Sequence, residues 1–216
     1  MTCNPMPDLA TGLTNIFIAV SAICCLLYLP RSEKARPWRL FFGLTALAAA
    51  CGTVLHTFVL PAGAKQALWA GFDLCLGPML ALLVLGAWQD LRGAVPARLC
   101  RVLWLLGSLT SLGLIALLLK ESFRAQFPLA AAAAIAAVTA YMILQLLGWR
   151  SRGRTPAGLI GPLLILAFGF TWLLGDFTTQ IGPIQLTPAG WLHLGLALAL
   201  PFIAKAAGTR RDKTDT

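Results

Sequence analysis

Phe127 to Trp149 reads FPLAAAAAIAAVTAYMILQLLGW, 23 residues without one charged side chain. Crossing the ~30 Å hydrocarbon core of a bilayer takes roughly 20 such residues as a helix. Within lipid the backbone must satisfy its own hydrogen bonds, which leaves helices and closed barrels as spanning forms. A barrel strand alternates apolar and polar positions, and Ala130 to Ala137 shows no alternation. This stretch is a membrane helix.

Six further runs have the same character, giving expected spans of about Ala10–Leu29, Leu40–Leu60, Ala67–Trp88, Leu99–Leu119, Phe127–Trp149, Ala157–Gly175 and Pro188–Ala207. Pro30, Pro37, Pro61, Pro96, Pro128, Pro156 and Pro188 lie at or near their ends, where helices tolerate proline. The composition agrees: of 216 residues 58% are apolar and 12% charged, with mean hydropathy +0.79, whereas soluble domains carry about a quarter charged residues. The connections reach only about a dozen residues, too short for a soluble domain, and no internal repeat is evident. The first run lacks the basic start of a signal peptide, since Met1 to Leu9 carries only Asp8 as a charge. The expectation is an all-α membrane protein, a single seven-transmembrane helix bundle over residues 1–216.

Orientation follows from the basic residues. Fourteen of the seventeen Lys and Arg fall in the connections after the first, third and fifth spans and in the tail, against Lys65, Lys120 and Arg124 opposite. Basic residues collect in cytoplasmic loops, so the amino terminus is expected outside and the carboxyl terminus in the cytoplasm. The same rule accounts for the net charge of +9 without a nucleic-acid partner; membrane lipids are the expected neighbours. Trp38, Trp88 and Trp149 fall at expected inner ends, and Trp69 and Trp191 at outer ends, as interfacial anchors do; Trp104 and Trp172 read as packing residues. The six cysteines show no CxxC spacing and read as small buried hydrophobes. Size and composition favour a bacterial inner membrane.

Ionisable groups within spans are costly and usually face the bundle interior, which makes each a candidate site residue. At 1.5 Å per residue, Asn15 lies ~8 Å below the outer surface, His56 ~6 Å, Asp73 ~10 Å and His193 ~9 Å, with Asp176 at the outer end of the sixth span. His56 and His193 are the only histidines. Each residue also has an ordinary structural reading: Asn15 as an interhelical hydrogen-bond donor, Asp176 as a loop carboxylate, either histidine as an interfacial or core residue. Asp73 is the hardest to dismiss, because a carboxylate inside an apolar span must be protonated, paired or metal-bound. Gly52 and Gly71 read as packing positions.

Imidazole and carboxylate suit Zn²⁺, and a catalytic zinc site uses three protein ligands and one open position. His56, His193 and one of Asp73 or Asp176 can supply the three. The other carboxylate can orient a histidine or take a proton. Zinc lowers the pKa of a bound water to about 7 and polarises a carbonyl, which permits amide or ester hydrolysis; at this depth the substrate would be a lipid.

Gly52-Thr53-Val54-Leu55-His56 and Gly190-Trp191-Leu192-His193 resemble the histidine segments of the CREST superfamily of seven-helix membrane proteins, which includes alkaline ceramidases and adiponectin-type receptors. The resemblance implies zinc bound by His56 and His193 with an Asp assisting, and hydrolysis of a lipid amide. Two positions depart from the family pattern. Gly52 stands where the family has Ser, leaving Thr53 as the nearby hydroxyl, and Ala197 stands where it has a second His in the seventh helix. Asp176 or Asp73 would have to replace that ligand, and Asp73 is farther from His56 in sequence than the family's Asp is from its first His. The same segments are similar to a group of small bacterial seven-span proteins of CREST-like layout, which implies the fold alone. Three classes stay open: a zinc-dependent lipid hydrolase, a non-enzymatic sensor or lipid- or ligand-binding bundle, and a bis-histidine haem protein, since two histidines on different helices at matching depth also suit axial ligation. The single lysine near the seventh span, Lys205, lies at the end away from these residues, which disfavours a retinal protein.

Overall fold

The computed structural model describes residues 8–120, 123–152, 157–173, 178–181 and 184–208. Seven α-helices account for most of them: α1 Leu9–Tyr28, α2 Arg36–Thr57, α3 Ala62–Arg92, α4 Ala97–Lys120, α5 Phe123–Arg152, α6 Ala157–Leu173 and α7 Pro188–Gly208. Each overlaps one expected span. Six are long and apolar enough to cross a membrane, and the seventh, α6, carries a shorter apolar stretch at Ala157–Phe170.

Local chemistry sets the boundaries. The Asp8 carboxylate opens α1 by accepting the Thr11 N–H at 3.0 Å, which satisfies one orphan donor of the first turn. A short 3-10 turn, Glu33–Ala35, leads into α2, whose first turn holds Pro37. Gly93 ends α3 with φ 88°, its N–H donating to the Gln89 carbonyl at 2.7 Å, a conformation that a side chain would strain. Thr187 opens α7 by accepting the Gly190 N–H at 3.2 Å. Pro128, expected near a boundary, lies inside α5 because that helix begins at Phe123.

The helices form a ring. α1 packs on α2 and α7, α2 on α3, α7 on α6, and α3 also on α4 and α5. The buried core draws on five of them: Ile18, Ala22 and Cys25 of α1, Trp38, Phe42 and Ala49 of α2, Leu82 and Ala87 of α3, Val138 and Tyr141 of α5, and Leu200 and Ile203 of α7. Helix α4 is peripheral and buries little beyond Gly107, Ser111 and Leu114. Outward faces are apolar instead, with Leu27, Val59, Leu105, Leu112, Leu119 and Phe170 all more than half exposed. A water-soluble monomer rarely presents so continuous an apolar exterior; lipid is its natural surrounding.

Between helices in lipid, close packing of small residues replaces hydrophobic burial as the main attraction. Gly77 of α3 and Gly107 of α4 bring two backbones together so closely that a Cβ on Gly77 would collide with the Gly107 carbonyl. Gly86 makes room for the Trp38 ring, which a Cβ there would meet at 2.6 Å. Trp38 is consequently a core residue and not an interfacial anchor. It is 1% exposed, and its Nε1–H donates to Asp90 at 3.0 Å. Trp104, expected in packing, lies on the exposed side of α4, and the Trp172 side chain lies outside the described residues. A two-stranded antiparallel hairpin, β1 Thr179–Ile181 and β2 Ile184–Leu186, precedes α7 and was not expected from the sequence. Its β2 strand also touches α1.

Candidate functional site

The amino-terminal ends of α1 and α7 and the carboxyl-terminal end of α2 meet at one end of the bundle. His56 occupies the last turn of α2 and His193 the second turn of α7. Their ring centres are 6.3 Å apart, edge to face at 70°. Trp69 of α3 packs edge-on against His56 at 6.1 Å, with Phe72 behind it at 5.7 Å. One nitrogen of His193, Nδ1, is shielded from solvent and has no hydrogen-bond partner among the described residues. A buried polar atom in that state calls for an explanation, such as an ion or a ligand.

Among the described residues, the acidic group at this end is Asp8. Its charge acts on both histidine rings, and Lys65 adds a positive charge near His56. Asp8 accepts from the Thr11 hydroxyl at 2.5 Å, and Thr11 and Thr187 place their hydroxyls 3.2 Å apart. The Thr187 hydroxyl reaches Asp8 at 3.5 Å. These three residues therefore tie the start of α1 to the start of α7 beside His193. Trp191, one turn from Thr187, donates its indole N–H to the Thr179 hydroxyl at 3.3 Å and fixes the hairpin over α7.

Asp73 lies elsewhere. Its carboxylate accepts from the Gln126 amide of α5 at 2.6 Å, and the same amide nitrogen donates to the Leu114 carbonyl of α4 at 2.7 Å. The Asp73 carbonyl accepts from the Ser111 hydroxyl at 2.7 Å. This buried cluster braces α3, one turn from Pro78, against α4 and α5, and Asp73 makes no described contact with either histidine. Asn15 donates to the Thr11 carbonyl of its own helix at 3.0 Å; it was expected to donate between helices, but its Oδ1 lies against Gly52, where a Cβ would stand 2.8 Å away. Thr53 donates to the Ala49 carbonyl at 2.9 Å, inside α2. Asp176 lies outside the described residues.

Two imidazoles holding one zinc ion at ~2.0–2.1 Å in its usual tetrahedral arrangement put their ring centres roughly 5 Å apart. The His56 and His193 ring centres, at 6.3 Å, are wider apart than that, so the rings would have to draw together by about 1 Å to share an ion. Among the described residues no third protein ligand is assembled: no group of three His, Cys, Asp or Glu there could hold an ion.

Asp8, Thr11, Thr187, Ser111, Gln126 and Asp90 were not singled out from the sequence. Asp8 carried a legible signal as a capping acid three residues before Thr11 at the start of an apolar run, and Thr187 one as a capping hydroxyl directly before Pro188; the others carry no comparable mark.

The fold and this end of the bundle define an all-helical protein suited to a membrane, with a histidine pair and a carboxylate gathered where three helix ends meet. The chain belongs to the family described as DUF6962, a family of unknown function, which matches residues 10–212. A comparison with curated proteins gives no match.

Proposed function

We propose that the chain is an integral membrane protein of seven spans, amino terminus outside and carboxyl terminus in the cytoplasm of a bacterial cell. Its function is to bind a divalent transition-metal ion, zinc in the first instance, between His56 and His193 at the outer end. One observation carries the reading: the only two histidines in the chain stand on different helices 137 positions apart in sequence, yet their rings lie 6.3 Å from each other. A two-nitrogen site leaves coordination positions open to water or to a ligand arriving from the outer leaflet, which fits a sensor or ligand-binding bundle. The α6 helix, with its apolar stretch at Ala157–Phe170, completes the seven spans.

A second reading, a zinc-dependent hydrolase of a lipid amide or ester, is favoured by Asp8. Bound zinc would polarise the scissile carbonyl. Asp8 would orient the His193 side of the site or accept a proton, and Thr11 and Thr187 would hold that carboxylate in place. The CREST-like histidine segments support this reading, with Asp8 or Asp176 in the role of the assisting acid.

Elemental analysis of the purified protein decides the matter. One zinc per chain, lost in both His56→Ala and His193→Ala while the helical content is retained, is the expected result. Metal-free wild-type protein would refute it, and a strong Soret band would reassign the pair to haem ligation. With zinc present, release of fatty acid from ceramides or lysolipids, abolished in Asp8→Asn, would select the hydrolase over the binding bundle.

A further inference from the structure

At the end of the bundle opposite the histidines, the connection from α1 to α2 forms a shallow, open cavity lined by Arg31, Ser32, Glu33, Arg36, Arg39 and Leu40. Three arginines and one glutamate line it. The carboxylate, Glu33, is paired with Arg36 at 3.5 Å in a contact where both side chains are largely exposed, and such a pair exchanges readily for a stronger anion. Arg39 uses Nη1 to bind the Leu26 and Leu29 carbonyls at 3.2 and 3.1 Å. That anchors the guanidinium at the cavity and leaves Nε and Nη2 without a protein partner among the described residues. Arg31 likewise has no described partner.

The wall of the cavity is not wholly polar. Leu40 is 46% exposed, and Leu27 and Tyr28, just before Arg31 in the chain, are 75% and 61% exposed. An anion bound here would have greasy surface next to it. Guanidinium forks match phosphate oxygens, and basic pockets beside membrane helices suit lipid headgroups.

We propose that this cavity binds the phosphate of an anionic membrane lipid, with Arg31, Arg36 and Arg39 as donors and the acyl chains against Leu27 and Leu40. The site is separate from the histidine pair and rests only on the membrane reading of the fold.

The test titrates the full-length protein in detergent with phosphatidylglycerol or phosphatidylcholine and counts bound lipid by native mass spectrometry. Phosphatidylglycerol is expected to bind at least about tenfold more tightly than phosphatidylcholine, and Arg31→Gln/Arg36→Gln to weaken it about tenfold. Arg98→Gln/Arg101→Gln, at another basic connection, should leave binding unchanged. Equal binding of the two lipids, or equal losses in the two double variants, would overturn the proposal. If the first double variant fails to fold, Arg31→Gln alone serves, because that side chain has no described contact to lose. Inorganic phosphate separates the sources: failure of millimolar phosphate to displace phosphatidylglycerol supports the lipid, and full displacement assigns the site to soluble phosphate and overturns the lipid.

Discussion

Asp8 does two jobs at once, capping α1 through the Thr11 N–H and placing a negative charge near both imidazoles. The two can be separated. Asp8→Asn keeps a side-chain oxygen for the cap, so thermal unfolding should shift by no more than ~1 kcal/mol. Loss of the charge should weaken zinc about tenfold, the order seen when a group supporting a ligand is removed; competition with a chelator dye measures it. Asp73 should behave in the opposite way. Asp73→Asn is expected to leave zinc content unchanged, while Gln126→Leu strips partners from Asp73 and the Leu114 carbonyl and should cost roughly 1–3 kcal/mol. The depth of Asp73 was legible from the sequence, but its direction was not. Apolar residues surround it on every side of α3, so no polar face reports how that helix is turned, and its partner Gln126 lies 53 positions away. The histidines were legible as candidates for a simpler reason: there are two, at matching depths, in an apolar chain.

At the level of elements, the seven helices were readable because lipid imposes a minimum length on each apolar run and loops collect the charge. The hairpin before α7 was not, since strands of three residues fall below the length at which alternation carries information. Nor did the sequence rank the helices by burial. Helix α4 is as apolar as the others, yet it sits at the edge and is held chiefly where Gly77 meets Gly107. Backbone cannot yield there as a side chain can, so Gly77→Val should destabilise the bundle by ~1–3 kcal/mol or more, read as a lower melting temperature in detergent. Gly113, a turn and a half further along α4, faces only the flexible tip of Leu129 at 3.0 Å. Gly113→Ala should be nearly neutral in the same assay.

For the whole molecule, the proposed orientation rests on the asymmetry of basic residues and the odd number of helices. A reporter active only in the cytoplasm should be active when fused to the carboxyl terminus and silent when fused to the amino terminus. The reverse result would invert the orientation and put the histidines on the cytoplasmic side without altering their geometry. Helices α2 and α7, which carry those histidines, have almost no direct contact; each leans on α1. The spacing of the rings therefore depends on how both helices pack against α1. Thin bilayers tilt long helices and thick ones straighten them, so zinc affinity in nanodiscs should change systematically with acyl-chain length. The histidine pair would act as a gauge of membrane thickness, and an affinity indifferent to chain length would show that α1 does not move the rings.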